Sequence, residues 1–138
     1  EHLQHLAKEF RIEGRILFTG PISSAEAHVL FSRAVLAVFP YTVSYSASGT
    51  LPMAVQHKKP IVASKTPYLQ ESLQDGINAL MVEPGDAHQL AKAIERLLDD
   101  ATLRTSLGQH LYEDWKGQSW DEVARLTWDV YLRLGLDL

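Results

Sequence analysis

The sequence predicts a parallel α/β fold, in which a sheet of buried strands is flanked by helices. Short apolar runs alternate with helical patterns along residues 15–98, which is typical of this class. The run at 35–39 is apolar at every position, as expected for a strand buried on both faces of a parallel sheet. Helical patterns alone fill residues 101–134, which predicts a helical C-terminus.

Three elements are predicted before the central strand: a helix, a strand and a helix, at residues 2–10, 15–19 and 23–34. Ser23 or Ser24 caps the second helix, and Glu26 lies in its first turn. In a doubly wound sheet the opening helix should follow a strand. We therefore expect the sequence to lack the first βα unit of its domain.

The stretch 35–64 organises the rest of the chain. It predicts a strand, a small-residue loop, a short helix and a second strand, at residues 35–39, 41–48, 49–57 and 61–63. Pro40 ends the first strand and Pro60 opens the second.

The small-residue loop is a candidate phosphate site. Backbone N–H groups at the start of a helix, together with the helix dipole, attract anions where side chains are too small to block access. Ser46, Ser48 and Thr50 would add hydroxyl donors, and Gly49 would allow close approach to the backbone. The alternative is that Ser48 simply caps the helix and the loop binds nothing.

Downstream of this stretch the sequence predicts one more strand and several helices. They are a helix at 68–73, a strand at 79–82, a helix at 87–98, helical pieces at 101–107 and 109–115, and a helix at 119–134. Asp86 is the expected N-cap of the helix at 87–98. Ser119 and Glu122 predict a capping box at the start of the helix at 119–134.

Composition predicts one globular domain over residues 1–138. Hydrophobic residues make up 46% and charged residues 22%. The net charge of −4, without a basic stripe, argues against a nucleic-acid partner. Cysteine is absent, so no disulfide or thiolate metal site exists. No metal site is expected, because no third ligand accompanies the two nearby histidines His2 and His5.

Four stretches of the sequence form a recognisable series when they are taken together. In chain order they are RILFTGPISSAE, AVLAVFPY, KKPIVASKTPYLQESLQDGINALMVEPGDAHQLAKAIERLLDD and QSWDEVARLTWDVY. This series resembles the C-terminal, donor-binding domain of retaining GT-B glycosyltransferases of the family 4 type, also called group 1. The resemblance covers some 120 residues, from about Arg15 to the end. It implies a Rossmann-like sheet that forms one half of a GT-B fold.

The resemblance also implies which residues meet a sugar-nucleotide donor. The residues expected at the donor diphosphate and sugar are Tyr45, Ser46, Ser48, Gly49 and Thr50. Those expected near the base and ribose are Gly20, Pro21, Ile22 and Met53. The donor is a UDP-, GDP- or ADP-sugar and is a substrate, so no cofactor and no metal are implied.

One departure from the family pattern concerns two glutamates that lie eight positions apart. Counting back from Pro60 places Tyr45 and Met53 at these positions, and no acidic residue occurs between Val35 and Lys59. A methionine sulfur cannot replace a carboxylate that accepts hydrogen bonds from ribose. Lys58 also stands where the family usually has glycine. Donor recognition is therefore expected to be atypical or lost.

The expected function is transfer of a hexose-type sugar by a longer chain whose acceptor-binding, N-terminal domain lies outside this sequence. No residue here is an evident catalytic base, so the isolated domain is expected to fold but not to catalyse. A cytoplasmic location is expected, with peripheral membrane attachment of the longer protein left open.

Two other functions are compatible with the fold. One is a non-catalytic binding or interaction domain that kept the fold after losing the glutamate pair. The other is a different nucleotide-handling enzyme such as a sugar-nucleotide epimerase. The second is disfavoured, because the sequence has neither G-x-G-x-x-G in a βα turn nor a Tyr-x-x-x-Lys pair.

Overall fold

The centre of the molecule is a sheet of three parallel strands that lie side by side in chain order. The computed structural model describes residues 2–43, 49–117 and 120–135. The strands are β1 (Ala37–Phe39), β2 (Ile61–Ser64) and β3 (Leu80–Val82). Val62 of the central strand pairs with Val38 on one side and Leu80 on the other. The predicted parallel α/β fold is confirmed.

Helices connect and follow these strands. Within the described residues they are α1 (His2–Glu9), α2 (Ser24–Arg33), α3 (Leu51–Gln56), α4 (Pro67–Gln70), α5 (Ala87–Asp99), α6 (Ala101–Trp115) and α7 (Trp120–Arg133). The ends of most elements differ from the predicted ends by one to three residues, namely α1, α2, α3, α4, α5, α7, β2 and β3. Two predicted caps are confirmed: Ser23 and Glu26 form a capping box at α2, and the Asp86 side chain accepts a hydrogen bond from the Gln89 N–H at α5.

Side chains of the sheet divide between two hydrophobic clusters, because successive residues of a strand point to opposite faces. Ile61 and Ala63 belong to one cluster, together with Leu111. Val62 belongs to the other, together with Leu107. Since Leu107 and Leu111 are one turn apart on α6, this helix contributes to both clusters and ties the two layers together.

Helix α6 is continuous, whereas the sequence predicts two pieces, 101–107 and 109–115. Gly108, the expected break, is buried within the helix. A helical glycine costs about 1 kcal/mol relative to alanine, but burial of Leu107 and Leu111 on the same helix outweighs this penalty. Tertiary packing therefore overrides the local propensity.

The predicted strand at 15–19 is wrong. A 3₁₀ helix covers Glu13–Arg15, and the backbone that follows is irregular up to Gly20. The Leu17 side chain is 78% exposed. A strand requires a neighbour to satisfy its backbone hydrogen bonds, and among the described residues no strand lies beside this segment.

Helix α2 is less buried than its pattern predicts. Ala27, Leu30, Phe31 and Ala34 recur at helical spacing, which predicts a buried stripe on this helix, but none of them is buried in the structure. Phe31 packs at the border of the core, but Leu30 is largely exposed. The strand that follows also begins later than predicted, which leaves Val35 54% exposed. Both differences leave apolar surface uncovered beside β1.

The C-terminal helix α7 lies at the surface. The sequence predicts that the tryptophans of the C-terminal helices are packing residues. Trp115, at the end of α6, packs against the core, whereas Trp128 of α7 is 48% exposed. Ser119, the predicted cap of this helix, lies outside the described residues, while Glu122 in its first turn pairs with Arg125. The apolar pattern of α7 therefore predicted a helix but not its burial.

Two histidines link α2 to α3. Nδ1 of His28 lies 3.0 Å from Nε2 of His57, and the Phe31 ring stacks on His57. His57 is the C-cap of α3. Because α3 follows the small-residue loop, this hydrogen bond fixes the position of the element that carries one of the candidate sites.

Candidate functional site

The carboxyl ends of the three strands meet at one edge of the sheet. Pro40, Ser64 and Glu83 come from the ends of β1, β2 and β3, and they line a small cavity of about 140 Å³ together with the start of α5. The carboxyl edge of a parallel sheet is where ligands of open α/β folds bind. The chain thus has a concave surface at the expected edge.

Lys65 directly follows β2 and places a positive charge at this edge of the sheet. Its Nζ lies 3.2 Å from a carboxylate oxygen of Glu83, and its backbone N–H donates to the Val82 carbonyl at 2.8 Å. The side chain is 34% exposed. A phosphate bound here would therefore compete with Glu83 for this charge.

The predicted phosphate loop is described only in part. Tyr45, Ser46 and Ser48 lie outside the described residues. Gly49 and Thr50 form a turn immediately before α3, and a Cβ added to Gly49 would meet no atom within 4 Å. The turn therefore faces open space, as access for a ligand requires.

Thr50 and Met53 occupy the start of α3. Thr50 is the N-cap residue and lines a groove along β1 together with Tyr41. Met53 is half-buried, while Leu51 and Ala54 beside it are fully buried in the core. Met53, the residue expected near the ribose, thus has a thioether side chain. It lies on a helix whose inward face already packs against the core.

The second group of predicted residues, Gly20, Pro21 and Ile22, lies in the exposed turn before α2. Gly20 has a φ of +62°, a conformation that favours glycine. Ile22 lines a groove of its own, and Leu30 of α2 borders both this groove and the one that contains Thr50. The two groups of predicted residues, at 20–22 and at the start of α3, therefore border two different grooves that share helix α2.

Sequence reasoning did not single out Pro40 as part of this edge. The signal was its position directly after a buried strand, which places it beside Ser64 once the strands pair in parallel. Among residues 2–43, 49–117 and 120–135, no group of three histidine or acidic side chains is placed to hold a metal ion.

Comparison with known proteins identifies the family. A family model described as "Glycosyl transferases group 1" matches residues 1–100. The chain belongs to this family. The resemblance found in the sequence is thereby confirmed, and the fold is that of one half of a GT-B glycosyltransferase.

Individual relatives agree with this assignment. The lipopolysaccharide core biosynthesis glycosyltransferase LpsE of Rhizobium meliloti is 30% identical over 135 residues, which is 97% of this chain and 38% of LpsE. Sucrose-phosphate synthase from Thermosynechococcus elongatus superposes with a TM-score of 0.85 at 27% identity, over 96% of this chain and 33% of the synthase.

A third comparison shows the same fold in a protein that is in complex with UDP-glucose. Anabaena Alr3699/HepE in complex with UDP-glucose superposes with a TM-score of 0.79 at 21% identity, over 89% of this chain and 33% of HepE. The group 1 chain described here thus spans about a third of the length of these relatives. In the part of it that the structure describes, no helix is long and apolar enough to cross a membrane.

Proposed function

We propose that this chain is the donor-binding half of a retaining hexosyltransferase of the family 4 type. The longer protein would transfer a sugar from a nucleotide-diphosphate sugar to an acceptor bound by its other half. The observation that carries this proposal is the match to the group 1 family over residues 1–100. The UDP-glucose bound by a protein of the same fold supports it. We propose a cytoplasmic location for the longer protein.

The donor diphosphate is assigned to the turn before α3. The open space at Gly49 and the N-cap position of Thr50 support this assignment, because the start of a helix attracts anions through its backbone N–H groups and its dipole. The turn also follows the carboxyl end of β1, at the ligand-binding edge of the sheet. Tyr45, Ser46 and Ser48 are assigned to the same group on the family resemblance alone.

The nucleobase is assigned to the turn at residues 20–22. The Ile22 side chain is 40% exposed, so an apolar surface is available for the flat face of a base. Gly20 carries no side chain that would obstruct the approach, and a Cβ built on it meets no atom within 4 Å. Whether the base is uracil, guanine or adenine is left to experiment.

Catalysis in such a protein depends on the charge that develops on the diphosphate as the glycosidic bond breaks. Backbone N–H groups and the Thr50 hydroxyl would stabilise part of this charge. The chain offers no glutamate at positions 45 and 53, so we propose that phosphate and base contacts carry donor affinity here. The isolated chain would then bind a nucleotide without catalysing transfer.

The proposal is tested with the 138-residue chain and the longer protein in parallel. Calorimetric titration with UDP, GDP and ADP measures binding, and release of a nucleoside diphosphate from the matching glucose donors measures activity. We expect saturable binding of one nucleotide by both proteins and release by the longer protein alone. Failure of all three nucleotides to bind either protein would overturn the proposal.

A further inference from the structure

Helix α2 has little buried surface, so its position against α3 depends on specific contacts. None of its residues is buried. His28 of α2 and His57 at the C-cap of α3 form a histidine pair, in which Nδ1 of the first lies 3.0 Å from Nε2 of the second. Both rings are partly buried, and Phe31 of α2 stacks on His57. Lys59 Nζ adds a hydrogen bond to the Ser32 carbonyl at 3.0 Å.

The hydrogen bond of the histidine pair depends on the number of protons that the two rings carry. It needs a proton on one of the facing nitrogens and a lone pair on the other. The bond is kept when both rings are neutral, and also when one ring is charged, because the charged ring donates to the neutral one. When both rings are charged, both facing nitrogens carry a proton and the bond is lost. Histidine ordinarily changes its charge between about pH 5 and 8, so mild acid favours separation of the rings.

The surroundings of the histidine pair do not neutralise a second positive charge. Among the described residues, no carboxylate lies within salt-bridge distance of either ring. The charged side chains of the elements that meet here are Glu26 and Arg33 on α2, Lys58 and Lys59 after α3, and Arg104, Glu113, Asp114 and Lys116 on α6, which packs on α3. The three acids in this set are bonded elsewhere, to Ser23, Lys116 and Asn78 in that order. Protonation of both rings therefore costs the bond and brings no new ion pair.

The two helices that the histidine pair joins each begin at one of the predicted donor turns. Residues 20–22 precede α2, and Gly49 and Thr50 precede α3. Because helices move as rigid elements, a bond between them helps to set the distance between the two turns. A nucleoside diphosphate spans both turns in the assignment made above, whereas inorganic pyrophosphate occupies the second turn alone.

We propose that His28 and His57 are positioning residues that hold the base turn and the diphosphate turn at the spacing of a bound nucleoside diphosphate, in a proton-dependent manner. The inference rests on the proposed function for the identity of the ligand. Mild acid separates the rings and releases α2 from α3. Affinity for the nucleotide then falls, while affinity for pyrophosphate is not affected through this pair.

Three variants distinguish this role from a general loss of stability. The double variant His28→Asn/His57→Gln places side-chain amides at the facing nitrogens, so it keeps a hydrogen bond that does not titrate. His28→Leu removes the bond at every pH. His88→Gln, at an exposed position of α5, is the control for the loss of a histidine elsewhere.

Calorimetric titration of the longer protein with UDP, GDP, ADP and pyrophosphate is carried out at about pH 7.5 and about pH 5. We expect acid to lower the nucleotide affinity of the wild type by about three- to tenfold more than that of the double variant, which is the effect of one hydrogen bond. For pyrophosphate the two proteins should respond alike. His88→Gln should behave as the wild type, and His28→Leu should bind the nucleotide less tightly at the higher pH.

Two outcomes of this titration would overturn the proposal. One is an equal response of wild type and double variant with the nucleotide. The other is the same difference between them with pyrophosphate, because protonation would then act on the diphosphate turn and not on the spacing of the two turns.

Amide hydrogen exchange without ligand separates this proposal from the proposed function. On acidification we expect the protection of the α2 amides, relative to that of Ala63 in the central strand, to fall about three- to tenfold more in the wild type than in the double variant. Equal protection would overturn the proton-dependent contact even where a nucleotide binds. Failure of every nucleotide to bind at the higher pH would overturn the proposed function, and with it the positioning role.

Discussion

The backbone carbonyl of Lys58 packs directly against Gly108 of helix α6. A Cβ built on Gly108 would overlap the Lys58 carbonyl oxygen and come close to Pro60 N. Lys58 adopts a φ of +50° in the turn after α3. The glycine on α6 therefore lets the turn between α3 and β2 approach the helix that joins both hydrophobic clusters.

Gly108→Ala is expected to destabilise the chain although alanine is the better helix former. Overlap with a backbone carbonyl forces α6 or the turn to move, at a cost of about 1–3 kcal/mol. Gly14→Ala is the matched control, because its added Cβ meets no atom within 4 Å. Chemical denaturation of both variants measures the difference, and equal stability would show that the turn yields without cost.

Lys58 gains a compensating contact for its left-handed backbone. Its Nζ lies 4.4 Å from the centre of the Tyr112 ring, and such a cation–π contact contributes about 0.5–1 kcal/mol at an exposed site. A left-handed non-glycine residue costs about 1–2 kcal/mol. We therefore expect Lys58→Gly to be close to neutral in the wild type and more favourable when combined with Tyr112→Leu. A double-mutant cycle in denaturant gives the coupling energy, and zero coupling would exclude the contact as the compensation.

Asn78 is the buried polar residue that joins the turn before β3 to α6. Its side chain is 1% exposed, accepts from the Gln74 N–H at 2.7 Å and donates to the Asp114 carboxylate at 2.8 Å. Asn78→Ala leaves these groups without partners, so we expect a loss of about 1–3 kcal/mol in the free energy of unfolding. Gln74→Ala, which keeps the backbone donor, should change stability little. A comparable loss of unfolding free energy in both variants would contradict the role of the Asn78 side chain in joining the turn to α6.

The capping box at α2 predicts a dependence of stability on pH. Hydrogen bonds from the Ser23 hydroxyl and the Ser23 N–H lower the pKa of Glu26. A carboxyl whose pKa is lower in the folded state stabilises the protein above its unfolded pKa, and this contribution is lost as the pH falls through the folded pKa. The stability difference between wild type and Glu26→Gln should therefore shrink on acidification. Glu95→Gln, at an exposed position, provides the control. A stability difference between wild type and Glu26→Gln that does not change with pH would argue against the capping box.

Local signals predicted the elements whose partners lie within the sequence. The sequence indicated the strands β1, β2 and β3, which pair with one another in the structure. It also indicated the caps Ser23 and Asp86, whose side chains form hydrogen bonds with residues of the helices that follow them. Residues 15–19 have the same apolar character, yet they form no strand. Strand formation depends on a paired neighbour, which composition alone does not reveal.

The position of the candidate site follows from a general rule, whereas its contacts do not. The rule that ligands bind at the carboxyl edge points to Gly49 and Thr50, which the structure places in an open turn before α3, and their contact with a ligand stays a prediction. The pairing of Lys65 with Glu83 and the link between His28 and His57 join residues that are distant in sequence. Such pairs depend on how helices pack on the sheet, so no local pattern indicated them.

The most direct test of the account is chemical-shift mapping of nucleotide binding to the 138-residue chain. Gly49→Val is compared with Gly14→Val, since neither added Cβ meets an atom of the protein. The account predicts saturable shifts around Gly20 and Thr50 with UDP, GDP or ADP, lost in Gly49→Val and retained in Gly14→Val. Binding that survives Gly49→Val, or shifts confined to other faces, would contradict a diphosphate site at this turn.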